Sequence, residues 1–153
     1  MSYHILVQED NFNLEQELAL LENQQHDAGA LVSFIGKVRG LDDPQRQLSH
    51  LFLTHLPIAT EQEIEKIIQQ AIKRWSLAYV KVIHRIGQLN VGEQIVLVLT
   101  ASSHRHDAYE ANRFIMDYLK IEAPFWKKEC FTNGEEHWVD MKQSDYNQFK
   151  AWQ

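Results

Sequence analysis

The chain has 153 residues, of which 44% are apolar and 24% are charged, a composition typical of one globular domain spanning residues 1–153. The formal net charge of −6 disfavours nucleic acid and acidic membrane surfaces as partners, and no apolar run approaches the length of a membrane span. The single cysteine, Cys130, excludes an internal disulfide; because the N-terminus also lacks a signal-peptide pattern, we expect a cytoplasmic protein.

The first third of the chain predicts three strands and one helix. Residues 3–7 predict a short strand, and residues 13–23 predict a helix with leucines along one stripe. A largely apolar strand is predicted over residues 29–38 and a strand with mixed faces over residues 48–55. A polar loop at residues 39–47 separates these two strands.

The middle of the chain predicts a helix followed by two strands. Thr60 and Glu63 have the spacing of a capping box and predict the start of a helix over residues 60–75. The strand at residues 79–86 alternates apolar and polar side chains, and residues 93–101 form the most apolar strand candidate.

The last third predicts a long helix and a hairpin. Ser103 is predicted to cap a helix over residues 104–120, and Pro124 prevents that helix from continuing. Asn133-Gly134 is a strong turn signal. The remaining predicted elements are the two hairpin strands and a short helix or loose tail, at residues 125–131, 137–139 and 144–153. Helices and strands alternate only in part, so we predict an α+β fold with mixed or antiparallel sheets.

Two lysines near the end of the long helix are the strongest candidates for chemistry. A helix that ends at Lys120 and a break at Pro124 can bring Lys127 close to Lys120. Two ammonium groups over one pocket suit an anionic substrate, and each favours the neutral amine of the other by repulsion. Two alternatives remain open: Lys120 complements the helix dipole, and Lys127 and Lys128 alternate across a strand with one of them exposed.

A second basic group lies at the start of the same helix. Free N–H groups at a helix N-terminus attract anions, and the guanidinium of Arg105, beside His104, offers a planar fork for phosphate. Cations there oppose the helix dipole, a cost that a bound anion would offset. An exposed Arg105 paired with Asp107 or Glu110 is an equally good interpretation.

Lys37 and Arg39 follow Gly36 at the end of an apolar strand, where ligand contacts are common. Glycine allows backbone to approach a ligand closely, although two solvated charges at a strand end explain the pattern as well. We predict no metal site from His84, His104 and other histidines, because no metal-ligand spacing accompanies them.

Four blocks occur in order along the chain: GALVSFIGKVR, VIHRIGQL, SSHRHDAYEANRFIMDYLK and APFWKKE. With them the chain resembles the MoaE family, the large catalytic subunits of molybdopterin synthase, over residues 29–150. The resemblance implies an α/β hammerhead-like fold with a smaller β-rich subdomain. It also implies a homodimer in which each subunit binds a small ubiquitin-like sulfur carrier, giving a heterotetramer.

The activity implied by the resemblance is sulfur transfer. The carrier ends in Gly-Gly bearing a thiocarboxylate and delivers sulfur to cyclic pyranopterin monophosphate, forming the dithiolene of molybdopterin. No resident metal or other cofactor is implied, and the pocket is expected to be shared across the dimer interface.

The resemblance also implies which residues form the site. Lys120 and Lys127 are the expected catalytic pair. Lys120 would transfer a proton or stabilise an acyl-bearing intermediate, and Lys127 would lower the pKa of Lys120. The expected substrate-binding residues are Lys37, Val38, Arg39, His104, Arg105, Lys120, Lys127, Lys128 and Glu129. The chain departs from the family pattern at residues 54–59, where family members often have a Glu-His-Tyr-Pro-Gly-Met-like run, and this departure affects local packing or carrier contacts.

Two other classes of function use the same features. The basic pocket would also serve a non-enzymatic phosphate- or nucleotide-binding module. A scaffold that only docks a ubiquitin-like partner is the third possibility, and it would need neither lysine.

Overall fold

The computed structural model of the chain describes residues 1–22, 27–41 and 43–153. These residues form two four-stranded sheets and four helices. The strands are β1 (Ser2–Gln8), β2 (Ala30–Lys37), β3 (Leu48–His55), β4 (Tyr79–Arg85), β5 (Gly87–Asn90), β6 (Gln94–Ser102), β7 (Phe125–Phe131) and β8 (Glu136–Trp138). The helices are α1 (Leu14–Glu22), α2 (Ala59–Arg74), α3 (Arg105–Glu122) and α4 (Gln143–Lys150).

The larger sheet is mixed, with the strand order β1-β4-β6-β2. β1 pairs with β4 in parallel, whereas β4–β6 and β6–β2 are antiparallel. The amphipathic helices α2 and α3 cover it, because apolar residues at helical spacing, such as Ile64, Ile67 and Ile68, form a stripe that is fully buried. The main core of the protein therefore lies between this sheet and the two helices.

The smaller sheet is antiparallel, with the order β5-β3-β7-β8. It has its own small core of buried side chains, namely Val38, Leu48, Leu51, Leu53, Leu89 and Phe131. The turn between β7 and β8 contains Gly134 with φ of 90°, and Asn133 Oδ1 accepts a hydrogen bond of 2.9 Å from the backbone N–H of Glu135. The predicted hairpin and the predicted α+β class with mixed and antiparallel sheets are confirmed.

The predicted start of α2 is wrong in detail. The helix begins at Ala59 after Ile58, whose φ is 75°, and no side chain caps it. Thr60 is fully buried, and its hydroxyl accepts from Leu56 N at 3.1 Å and donates to the carbonyl of Pro124 at 3.0 Å. The hydroxyl that resembled a cap instead connects α2 to the turn between α3 and β7.

The predicted cap of α3 is also wrong, because His104 rather than Ser103 is the N-cap residue and its side chain makes no capping bond. The helix continues two residues past Lys120, to Glu122. β5 was missed, since a four-residue strand directly after β4 exists only through its pairing with β3. The ambiguous C-terminal segment forms the helix α4. Asn23 in the predicted first helix and Asp42 in the predicted loop lie outside the described residues.

Candidate active site

A pocket of about 200 Å³ lies where the C-terminal end of α3 meets the end of β2 and the start of β7. Three lysines line it: Lys37, Lys120 and Lys127. Its other walls are mainly apolar and include Phe34, Leu53, Ile95, Val96, Met116 and Phe125. The structure thus brings the two candidate catalytic lysines to one cavity and adds a third amine.

The local structure explains how each lysine reaches the cavity. Lys120 lies in the last turn of α3, and Lys37 is the final residue of β2, next to a register irregularity in the β2–β6 pairing. Lys127 is the third residue of β7 and points to the pocket side of that strand. Since successive strand side chains point to opposite faces, Lys128 points away from the pocket.

Lys128 and Glu129 have partners elsewhere on the smaller sheet. Lys128 Nζ lies 3.2 Å from a carboxylate oxygen of Glu136 and near the rings of Phe52 and Trp138. Glu129 Oε1 lies 2.8 Å from Nε2 of His137, its cross-strand neighbour. Neither residue lines the lysine pocket in the single chain.

Lys127 is the pocket lysine whose surroundings favour the neutral amine. Burial lowers its pKa, and the positive charges of Lys120 and Lys142 lower it further. Glu129 and Asp145 oppose this shift with a smaller effect. The repulsion expected between the two candidate lysines therefore acts on Lys127, and burial adds to it.

His84 also lines the pocket, although the sequence did not identify it as a site residue. Its ring stacks on Phe125, with centroids 3.8 Å apart and planes inclined by 16°. Nδ1 lies 2.8 Å from the carbonyl oxygen of Arg85. Burial lowers the pKa of His84 to about 4, with further lowering by Lys120, His55 and Lys127, while the bond to Arg85 opposes the shift. The imidazole is therefore neutral at neutral pH.

The residues around Lys37 divide between core and surface. Val38 is buried in the core of the smaller sheet with 2% exposure, and Arg39 is exposed two residues beyond the pocket-lining Lys37. A Cβ at Gly36 would lie 2.8 Å from Cγ1 of Val96. Glycine is therefore required at this position because the backbone passes close to a side chain of β6.

His104 and Arg105 lie at the opposite end of α3 from Lys120, and both are exposed. With a rise of 1.5 Å per residue, the backbone positions of Arg105 and Lys120 are about 22 Å apart. In one chain, the predicted anion site and the lysine pocket are therefore separate.

The acids expected to pair with Arg105 have other partners. Asp107 accepts a hydrogen bond of 3.1 Å from Ser76 N, and Glu110 lies 3.3 Å from Arg113 Nη2. Within the described part of the chain, Arg105 forms no ion pair. The first turn of α3 thus presents an unpaired guanidinium beside N–H groups that no side chain caps.

The described residues contain neither a cluster of metal-binding side chains nor a helix that could span a membrane. No group of three or more His, Cys, Asp or Glu side chains is placed to hold a metal ion in residues 1–22, 27–41 and 43–153. In the same ranges, no helix combines the length and apolar character needed to cross a membrane.

The chain is similar to known proteins over most of its length. The sequence model of the family described as MoaE protein matches residues 7–122. A molybdopterin synthase catalytic subunit from Haemophilus influenzae is 47% identical over 148 residues, which cover 97% of each chain.

Solved structures agree with the sequence comparison. The molybdopterin biosynthesis MoaE protein from Burkholderia ambifaria superposes with a TM-score of 0.82 at 42% identity, covering 99% of this chain and 98% of that one. A complex of subunits 1 and 2 of the molybdopterin-converting factor from Helicobacter pylori contains a chain with the same fold. The TM-score is 0.72 at 19% identity, with 92% of this chain and 91% of that one covered.

Proposed function

The chain belongs to the MoaE protein family, and on that premise we propose that it is the catalytic subunit of a molybdopterin synthase. It is an enzyme that transfers sulfur from the C-terminal thiocarboxylate of a small ubiquitin-like carrier to cyclic pyranopterin monophosphate. The product carries the dithiolene of molybdopterin. The observation that supports this function best is the pocket lined by Lys37, Lys120 and Lys127, which suits an anionic substrate and an anionic carrier tail.

The assembly that fits this function is a homodimer of catalytic subunits, each bound to one carrier, in the cytoplasm. One domain spanning residues 1–153 provides the catalytic subunit. The length of α3 explains why a second subunit is needed. A phosphorylated pterin cannot span the roughly 22 Å between Arg105 and Lys120 of one chain. The partner's Arg105 and the partner's His104 can instead hold the phosphate at the lysine pocket, while Arg39 approaches from the same chain.

Lys120 and Lys127 have different roles in the reaction. The thiocarboxylate sulfur attacks a carbonyl carbon of the pterin side chain. A carbon–sulfur bond forms while the π bond of the carbonyl breaks and its electron pair moves to oxygen, so that the carrier becomes joined to the substrate as a thioester. Lys120, as the ammonium, stabilises the negative charge of this acyl-bearing intermediate. Once the oxygen has taken a proton from water, the neutral amine of Lys127, which its lowered pKa makes more available than in a free lysine, takes the proton of the neighbouring carbon; a carbon–carbon double bond forms and the hydroxyl group leaves as hydroxide.

Water then hydrolyses the thioester and releases the carrier as a carboxylate, leaving the sulfur on the pterin. The family resemblance implied that Lys120 either transfers a proton or stabilises the acyl-bearing intermediate, with Lys127 lowering its pKa. We keep the second role for Lys120 and assign proton transfer to Lys127, because burial lowers the pKa of Lys127.

The test is reconstitution with purified components. The protein is incubated with thiocarboxylated carrier and cyclic pyranopterin monophosphate, and dithiolene formation is measured by mass spectrometry of the pterin. The expected result is molybdopterin together with carrier that has lost sulfur. A phosphate-binding module would bind the pterin and form no dithiolene, and a docking scaffold would bind the carrier alone; either result would reject the proposal.

A further inference from the structure

His84 is a pocket residue for which the lysine chemistry gives no role. It lines the same cavity as Lys37, Lys120 and Lys127 but comes from β4, a central strand of the larger sheet. Its ring is held on one face by Phe125, which follows the turn between α3 and β7. The imidazole is therefore held in place by β7, which carries Lys127, and by its own strand in the larger sheet.

The hydrogen bond to Arg85 determines the tautomer of His84. A backbone carbonyl oxygen can only accept, so Nδ1, 2.8 Å away, must carry the proton. In a neutral imidazole, Nε2 then has a free lone pair and acts only as an acceptor. The groups facing the ring are cationic or titratable: Lys120 from α3, Lys127 from β7, His55 from β3 and Lys37 from β2.

Nε2 has no hydrogen-bond donor among residues 1–22, 27–41 and 43–153. Among the described residues, Glu61 Oε2 is the one fully buried side-chain nitrogen or oxygen atom that lacks a hydrogen-bond partner, so Nε2 of His84, which also lacks one, retains access to solvent. Because His84 lines the pocket, this nitrogen faces the space where the substrate would bind. None of the three pocket lysines donates to it.

Building on the proposed function, we propose that Nε2 of His84 binds the substrate directly, accepting a hydrogen bond from a hydroxyl or ring N–H of the pterin. A lone pair repels phosphate oxygens, which are acceptors at neutral pH, so His84 selects the pterin end of the substrate. The phosphate must then lie towards the pocket mouth, where a dimer partner can reach it. His84 thereby orients the reacting carbon between Lys120 and Lys127.

Two substitutions separate this role from a structural one. In His84→Asn the amide nitrogen can still donate to the carbonyl of Arg85, but no acceptor remains at the position of Nε2. In His84→Gln the longer side chain carries its amide oxygen close to that position. We expect His84→Asn to lower kcat/KM for the pterin about tenfold, the usual effect of one lost hydrogen bond with an unsatisfied donor, and His84→Gln to recover most of it.

The kinetics are measured with thiocarboxylated carrier in the assembled complex, and the melting temperature of each variant is recorded. An unchanged kcat/KM in His84→Asn overturns the proposal. So does an equal loss in both variants that follows their melting temperatures, since that pattern shows a structural role.

A nitrogen NMR experiment on the wild-type protein tests the same idea without turnover. The expected spectrum has a protonated Nδ1 and an unprotonated Nε2, and adding cyclic pyranopterin monophosphate without carrier shifts the Nε2 resonance. A protonated Nε2, or no shift at saturating substrate, overturns the role of His84. If the wild-type protein forms no dithiolene, the proposed function is rejected independently of the role of His84. The NMR spectrum still decides whether Nε2 binds the pterin.

Discussion

The two ends of α3 carry the two basic groups of the protein, but they differ in what surrounds them. At the C-terminal end, Lys120 lines a cavity with Lys127 and Lys37, and the apolar walls lower the pKa of Lys127. At the N-terminal end, His104 and Arg105 are exposed on a helix start without a side-chain cap.

The difference shows which part of the site one chain can build alone. Desolvation changes the pKa of an amine, and the pocket beside the C-terminal end provides it for Lys127. An anion-binding arginine works at the surface, where a second subunit can use it. The comparison therefore predicts separable effects: changes at the C-terminal end affect the chemical step, and changes at the N-terminal end affect substrate binding.

The largest effect is expected for Lys120→Ala. Removing the ammonium that stabilises the intermediate should lower kcat by about a hundredfold to a thousandfold while the fold and carrier binding remain. Single-turnover sulfur transfer measures the effect, and circular dichroism and carrier pull-down check the fold and the binding. Lys66→Ala, which removes an exposed lysine of α2 paired with Glu63, is the matched control and should be fully active. Unchanged single-turnover transfer in Lys120→Ala would remove this lysine from the mechanism.

Lys127→Arg should lower kcat by about a hundredfold although it keeps the positive charge, because an arginine cannot transfer the proton. The wild-type pH–rate profile should show the rise of a basic group below the ordinary lysine pKa of about 10.5. A fully active Lys127→Arg would show that only the charge matters.

The lowered pKa of Lys127 also has a consequence for stability. Between its folded and unfolded pKa values the unfolded chain binds more protons, so this lysine makes stability rise with pH and costs stability at neutral pH. Lys127→Met should therefore melt at a higher temperature than wild type at pH 7 and show a smaller gain on going to pH 10. A lower melting temperature at pH 7 would contradict the burial of this amine.

Arg105→Ala should raise KM for the pterin by about tenfold to a hundredfold, the range for a lost charge-assisted hydrogen bond, and leave kcat nearly unchanged. Arg113→Ala, on the same helix and exposed beside Glu110, is the control. An equal loss in kcat would place Arg105 in the chemical step and remove the contrast between the two helix ends.

The smallest expected effect, a partial recovery of activity in mixed dimers, tests directly whether the active site is shared between two subunits. Lys120→Ala and Arg105→Ala subunits are mixed, unfolded and refolded together, and assayed below the KM for the pterin. Half of the dimers then contain one subunit of each kind, and each such dimer has one intact site, so activity should reach about a quarter of wild type. Activity no higher than the mean of the two pure variants would mean that each site is built from one chain.

The sequence predicted more of the fold than of the pocket. The amphipathic helices and the strands β1, β2, β3, β4 and β6 follow periodicity, and the β7–β8 hairpin follows Asn133-Gly134. The separation between Arg105 and Lys120 also follows from the predicted helix, since its length fixes that distance. What the sequence could not supply depends on contacts between distant segments, such as the short strand β5 and the hydrogen bond from Thr60 to Pro124.

His84 shows the same limit for the site. In the sequence it is an ordinary strand residue. The feature that identifies it as a site residue is the stacking of its ring on Phe125, forty-one residues later. The bond to the neighbouring carbonyl of Arg85 is equally invisible to periodicity, because it depends on a side-chain rotamer. The roles of the remaining predicted site residues stay predictions.

The length of α3 restricts how the gene for this protein can change. One residue inserted within the helix would turn everything after it by about 100° around the axis. Lys120 would then leave the cavity, and the apolar stripe of the last turns would face water. Point mutations on the exposed side of α3, other than at Arg105 and Lys120, are compatible with the assembly, whereas insertions and deletions there are not. Related chains should therefore vary in length in their loops and keep the number of residues between the two basic ends.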